Sequence, residues 1–229
     1  MRTALFRNRR EAGRQLAKML RSTPGTTNPV VLGLPRGGIP VAFEVANLLD
    51  APLDVCVVRK LGVPGHEEFA MGAIASGGVQ MLDAQMIREL QIPQYEIERT
   101  LAREQLELDR RELAFRDGRP LVDVRGRTVI LVDDGLATGA SMIAAVSALR
   151  RRNPRAIIVA VPVASRSACA DLGRVANRCV CVATPEPFHS VGMWYADFEQ
   201  TTDEEVRELL AAANTRRAAA PRSNAVLTS

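Results

Sequence analysis

Two adjacent carboxylates, Asp133 and Asp134, follow the apolar run Val129-Ile130-Leu131-Val132 and precede Gly135-Leu136-Ala137-Thr138-Gly139-Ala140-Ser141. Four apolar residues bring the chain up as a buried strand, and the small residues after the acids open a helix. A small-residue loop at a helix N-terminus presents several backbone N–H groups and the positive end of the helix dipole, which together hold a phosphate. Thr138 and Ser141 can donate hydroxyl hydrogen bonds to the same anion. The carboxylates would repel a phosphate, so they must face something else. Neighbouring hydroxyls of a ribose, or a hydrated magnesium ion, fit that role.

Two further segments carry chemistry-bearing residues. Leu34-Pro35-Arg36-Gly37-Gly38 follows a short apolar strand, and its glycines permit close backbone approach while Arg36 supplies a fixed positive charge. Arg59 and Lys60 open a stretch to Glu68 that contains two glycines, a proline and several charges, and it reads as a loop. Lys60 stands out because the chain's cations are nearly all arginine; Lys18 is the other lysine. The alternative for this stretch is a solvated basic turn. Glu67 and Glu68 are candidate general bases, or simply loop acids.

These segments must be positioned by a framework, and its pattern is alternating strand and helix. A helix is expected over residues 8 to 21, a strand at Val30-Val31-Leu32, a helix from about Pro40 to Leu49 and a strand over Leu53 to Val58. That βαβ unit places the Arg36 loop at the carboxyl edge of a parallel sheet, where ligands of open α/β sheets bind. Short strands are expected over Phe69 to Ile74 and Val79 to Leu82. Residues 94 to 116 read as a long exposed helix whose i,i+4 pairs, Glu107 with Arg111 and Glu112 with Arg116, serve solvation. A strand at Arg127 to Val132, a helix over 139 to 151, a strand at Ala156 to Val161, a helix over 165 to 175 capped by Ser165 and a strand at Arg178 to Val182 follow. Thr202-Asp203-Glu204-Glu205 resembles a capping box opening a last helix to about Ala213, with a disordered tail over 214 to 229. The fold class is therefore α/β: a twisted, mainly parallel sheet flanked by helices.

The segment from Val129 to Ser141 resembles the signature of the type I phosphoribosyltransferases, which bind phosphoribosyl pyrophosphate (PRPP). The resemblance implies one phosphoribosyltransferase domain over 1–213, with a hood subdomain from 1–25 and 184–200 and a helical insertion over 83–118. It implies that Asp133 and Asp134 anchor the ribose hydroxyls and magnesium, and that Ala137, Thr138, Gly139, Ala140 and Ser141 hold the 5-phosphate. Arg36, Gly37 and Gly38 match the family's pyrophosphate loop, which often contains a strained or cis peptide. Arg59, Lys60 and Glu67 match its mobile catalytic loop, and with Asp134 they form the expected catalytic set. Magnesium is the implied cofactor, held through PRPP and water and not by direct protein ligands. Leu34-Pro35-Arg36-Gly37-Gly38, Val58-Arg59-Lys60-Leu61-Gly62, Glu68-Phe69-Ala70-Met71-Gly72-Ala73-Ile74 and the stretch from Val191 to Phe198 carry a closer likeness to a small bacterial group of phosphoribosyltransferases whose acceptor is not settled. Ala137 stands where the hypoxanthine-guanine branch has an aspartate, which argues against that branch.

The acceptor is expected to be a small nitrogen compound resembling a nucleobase. Phe188, Trp194 and Tyr195 in the hood are its candidate stacking residues, although aromatics in a chain with 4% of them more often fill the core. His66 and His189 lack metal-ligand partners in the sequence. Cys56, Cys169, Cys179 and Cys181 include no C-x-x-C pair, so neither disulfides nor zinc are expected, and they read as small buried hydrophobes. The net charge of +4 is concentrated in N-terminal and C-terminal arginines without interleaved aromatics, which argues against nucleic acid as a partner. No apolar stretch has the length of a membrane span or of a signal region, so a cytoplasmic protein without membrane contact is expected. The resemblance allows a homo-oligomer. The other function class it allows is a non-catalytic PRPP or nucleotide sensor; leaving-group cations at Arg59 and Lys60 favour the enzyme.

Overall fold

Val- and Ile-rich runs bounded by glycine, proline and polar turns build a five-stranded sheet in this computed structural model, which describes residues 4–219. Its strands are β1 (Pro29–Gly33), β2 (Leu53–Val55), β6 (Thr128–Val132), β7 (Ala156–Val163) and β8 (Arg178–Ala183), all parallel, in the order β2-β1-β6-β7-β8. Both faces are buried, which explains why the strands are continuously apolar and not alternating. Val31, Ile130 and Ile158 join one core with α1 (Arg9–Arg21), α2 (Gly38–Leu49), α4 (Gln94–Arg116) and α7 (Asp203–Ala219). Val30, Val129, Leu131 and Val159 point the other way, into a core closed by α5 (Ala140–Arg150) and α6 (Arg166–Val175).

The order of the strands reverses at β1. The connection through α2 leads to β2 on one side, and β6 pairs on the other. In open parallel sheets such a reversal leaves a crevice at the carboxyl ends of the two central strands. Here those ends are Gly33 and Val132, paired directly in register. The loops that follow them carry Arg36 and Asp133.

The second sheet is antiparallel, in the order β3-β4-β5, from β3 (Val58–Val63), β4 (His66–Ala75) and β5 (Val79–Leu82). It corrects two expectations. The strand expected over Leu53 to Val58 stops at Val55, and Val58 begins the second sheet. The stretch from Arg59 to Glu68, expected as a loop, is a β-hairpin turning at Pro64-Gly65, where Gly65 has φ +78°. Leu61 and Val63 are buried while Lys60 is exposed, so one face of the hairpin packs and the other does not. The register shifts on either side of Gly62. A short helix, α3 (Ala84–Glu89), capped by the Asp83 carboxylate, lies within the stretch 83–118 and precedes the long helix.

Helix α4 has the expected limits, and both i,i+4 ion pairs form, at 2.7 Å for Glu107–Arg111 and 2.8 Å for Glu112–Arg116. Its charges are nevertheless not all solvation: Glu104 and Arg116 are buried. Arg116 sets its guanidinium on the Asp54 carboxylate at 3.0 Å and donates to the Val55 carbonyl at 2.7 Å, tying the helix to edge strand β2. The last helix also departs from expectation. Thr202 caps it through the Glu205 N–H at 3.1 Å, as the capping box implies, but it continues past Ala213 to Ala219. Arg216 and Arg217 donate to carbonyls of Ala46, Asn47 and Asp50 and hold those extra turns against α2. The rest of the expected tail, 220–229, lies outside the described residues. Among the described residues, no helix is long and apolar enough to cross a membrane.

Candidate functional site

The two central strand ends bring the carboxylates and the glycine loop into contact. The Leu34 N–H donates to the Val132 carbonyl at 2.9 Å, which fixes the loop after β1 beside the loop after β6. A Cβ added at Gly38 would come within 2.8 Å of the Val132 carbonyl oxygen and 2.9 Å of the Asp133 Cα. One added at Gly37 would collide with the Asp134 carboxylate. Glycine is therefore required at position 38 by the backbone of the acidic segment, and at position 37 it leaves the Asp134 carboxylate in place. The Pro35–Arg36 peptide bond is cis. Arg36 is half exposed and lies 3.5 Å from the Asp203 carboxylate. Gly37→Ala is expected to push the Asp134 carboxylate aside and to weaken binding of an anionic ligand about tenfold, the effect of roughly 1.4 kcal/mol of misplacement. Isothermal titration with PRPP and magnesium checks it, and an unchanged affinity would contradict it.

Asp133 and Asp134 sit at the floor of this crevice. Burial pushes the Asp133 carboxyl well above its ordinary range, and the neighbouring Asp134 charge adds to the effect. Asp134 is also raised by burial, but Arg9 opposes the shift. The Arg9 Nε donates to Asp134 Oδ2 at 2.8 Å, its Nη1 donates to the Glu199 carbonyl at 2.6 Å, and its guanidinium lies 3.8 Å from the centre of the Phe198 ring. On the other side the Tyr195 hydroxyl donates to the Asp134 carbonyl at 2.5 Å. Two acids crowded out of water in this way favour a cation or hydroxyl donors opposite them.

The Ala137 to Ser141 loop lies directly beyond. Gly139 is the residue before α5 and has φ +74°, and no side chain caps the helix. The N–H groups of the first turn are therefore left for another acceptor. The loop itself is pinned: the Leu136 N–H donates to the Val163 carbonyl at 2.9 Å, and the Ser165 hydroxyl donates to the Ala137 carbonyl at 2.7 Å. Ala137, Thr138, Ala140 and Ser141 are exposed and Gly139 is buried. An uncapped, held and open helix start suits a phosphate.

The hairpin reaches the same edge. A cavity of about 330 Å³ is lined by Arg59, Lys60, Glu67 and Ser141 together with Arg103 and Glu104. Arg59 is not free in it: its Nε and Nη2 donate to Glu104 Oε2 at 2.8 and 2.5 Å. Lys60 is exposed, and Glu67 lies 3.9 Å from Arg103 on the surface.

The aromatic residues gather elsewhere than on an open face. Trp194 and Tyr195 are buried in a cluster with Phe6, at ring distances of 5.4 Å for Phe6–Tyr195 and 5.0 Å for Tyr195–Phe198. Backbone hydrogen bonds join Leu5, Phe6 and Arg7 to Trp194, Ala196 and Asp197, so the N-terminal segment and the 194–197 segment form one layer. The stacking platform expected of three aromatics is thus reduced to Phe188, which is partly buried. Sequence reasoning missed Arg9 and Glu104. Arg9 is one of seven N-terminal cations, and only its tertiary neighbour Asp134 distinguishes it; Glu104 is one of many acids on α4.

The family model for the phosphoribosyl transferase domain matches residues 2–186. The chain belongs to the phosphoribosyl transferase family. Two Mycobacterium tuberculosis proteins, from different strains and each named "Putative phosphoribosyl transferase", are 45% identical to it over 202 residues. Those residues are 88% of this chain and 45% of the relatives, so the chain spans under half of their length. A crystal structure of a Thermus thermophilus protein is 46% identical, with a TM-score of 0.82 over 90% of this chain and 98% of that one. The parallel sheet flanked by helices is the fold of this phosphoribosyl transferase family.

Proposed function

We propose that the protein transfers the phosphoribosyl group from PRPP to a nitrogen acceptor, a nucleobase-like compound, with release of pyrophosphate. The observation that carries this reading is the contact between Gly37, Gly38 and the Asp133-Asp134 pair, with an uncapped helix start next to it. One crevice thereby offers an anion site on each side of two carboxylates, which complements the phosphate, ribose hydroxyls and pyrophosphate of PRPP.

In this reading the N–H groups and hydroxyls from Ala137 to Ser141 hold the 5-phosphate, and Asp133 and Asp134 accept hydrogen bonds from the ribose hydroxyls. Arg36 and the backbone of Gly37 and Gly38 take the pyrophosphate. Magnesium would be held beside Asp133 and Asp134 through PRPP and water, without direct protein ligands, and there it would neutralise charge on the leaving pyrophosphate. Bond breaking runs ahead of bond making, so positive charge develops on the ribose while Lys60, and Arg59 once released from Glu104, meet the departing anion. Glu67, on the wall of the cavity that Ser141 also lines, is the candidate to take the proton from the acceptor nitrogen, and Phe188 the ring against which a flat acceptor rests.

The test is a turnover assay read by mass spectrometry, combining the protein, PRPP and magnesium with pooled purines, pyrimidines and small amines. A new phosphoribosylated product that disappears in the Asp133→Asn/Asp134→Asn variant is the expected result, and it names the acceptor. PRPP bound but left intact would replace this reading with that of a PRPP-sensing regulator. Absence of PRPP binding would overturn it altogether.

A further inference from the structure

Cys169, Cys179 and Cys181 converge and are only partly buried, where the sequence implied buried small hydrophobes and no zinc; of the four cysteines Cys56 alone is buried. Their sulfurs are 3.4 Å apart for Cys169–Cys179, 3.3 Å for Cys169–Cys181 and 3.9 Å for Cys179–Cys181. The convergence has a simple structural cause. Cys179 and Cys181 alternate with Val180 along β8, so both thiols project to the α6 side while Val180 packs in the opposite core. Cys169 lies in the first turns of α6 and faces them. Strand β8 forms an edge of the sheet, and all three cysteines are partly exposed, so the cluster is reachable from solvent.

We propose that these three thiols form a binding site for a thiophilic closed-shell metal ion, of which Zn2+ is the representative, on the face of β8 covered by α6. Zinc–sulfur bonds of about 2.3 Å in a tetrahedral arrangement place ligand sulfurs about 3.8 Å apart. The three separations here are within about 0.5 Å of that spacing, so the ion needs only small side-chain rotations. The triangle is too tight for the ion to lie at its centre, and it sits above the sulfurs toward solvent. Among the described residues no further His, Cys, Asp or Glu joins the cluster. The fourth position is therefore left to water or to an external ligand, the open arrangement of a reactive or exchanging site and not the closed one of a structural site.

Binding would displace the thiol protons, so affinity for the ion rises with pH. The buried Cys56 is pushed up to about 12 by burial and stands outside the cluster.

The experiment uses the full chain, reduced and freed of metal under inert gas, and titrates it with Co2+ and then Zn2+. The expected result is a thiolate-to-cobalt charge-transfer band saturating at one ion per chain and abolished by one equivalent of Zn2+. Cys169→Ser, Cys179→Ser and Cys181→Ser should each weaken Zn2+ binding by at least about 100-fold against a chromophoric chelator, while Cys56→Ala leaves it unchanged. The wild-type titration stands by itself if a variant folds poorly. A missing band in the reduced wild type, a band that survives the serine variants, or a disulfide among these cysteines in protein isolated without added reductant would overturn the proposal. None of these outcomes depends on transferase activity.

Discussion

Asp133→Asn is expected to raise the melting temperature of the ligand-free protein by about 2–4 °C, the equivalent of roughly 1 kcal/mol in a chain of this size, while turnover falls by about 10³-fold. The reason for the first half is electrostatic. Burial and the adjacent Asp134 raise the Asp133 carboxyl, so ionising it in the folded state is unfavourable. A group raised in the folded state contributes stability that is fully present below its unfolded pKa of about 3.9. That contribution is lost as pH rises through the raised value. At neutral pH asparagine keeps the shape and removes the charge, and the corresponding pH dependence of stability should vanish with it. The second half follows from the proposed function, in which a ribose hydroxyl loses its charged acceptor. Asp134→Asn should lose turnover equally but gain less stability, because its carboxyl is also raised by burial but is partly answered by Arg9 at 2.8 Å. Thermal melts of both variants across pH, with and without PRPP and magnesium, measure this. Equal stability changes in the two variants would refute the electrostatic assignment.

Arg116→Ala is the largest stability loss expected outside the site, about 3–5 kcal/mol, or a drop in melting temperature on the order of 10 °C. The change leaves Asp54, itself buried, without its cation. The Val55 and Val122 N–H groups still donate to the carboxylate, at 2.7 and 3.1 Å, but they do not neutralise it. It also frees the Val55 carbonyl and the end of α4 from β2. Adding Asp54→Asn should recover part of the loss, which a double-mutant cycle by urea unfolding would quantify. A loss below about 1 kcal/mol would mean that the pair behaves like a surface ion pair.

How far the sequence revealed this molecule depended on the range of the forces involved. Thr128–Val132 and the helix after it follow from local pattern alone, because a buried parallel strand must be apolar and a phosphate-type turn must be small. Helix α4 was legible for the same reason: its i,i+4 pairs and lack of Gly and Pro are local properties. The hairpin at Arg59 was not. Gly62, Pro64 and Gly65 read as loop chemistry, and only pairing with the strand over 66–75 turns them into a bulge and a turn. The role of Arg9 was illegible because its partner is 125 residues away. The cysteine cluster was half legible, since an i,i+2 pair on a strand must share a face, but nothing local brings Cys169 to it.

The hairpin also alters how the site would close. A segment of coil that orders over a substrate loses about 1–2 kcal/mol of backbone entropy for each residue it fixes. The segment carrying Arg59 and Lys60 is instead laddered to β4, with its register interrupted only around Gly62. Arg59 and Lys60 lie on the sheet side of that interruption, paired with Ile74 and Ala73, so their cations stand already ordered beside the site. Affinity for a leaving anion is then set by charge and geometry, with little of it lost to assembling the segment that provides them.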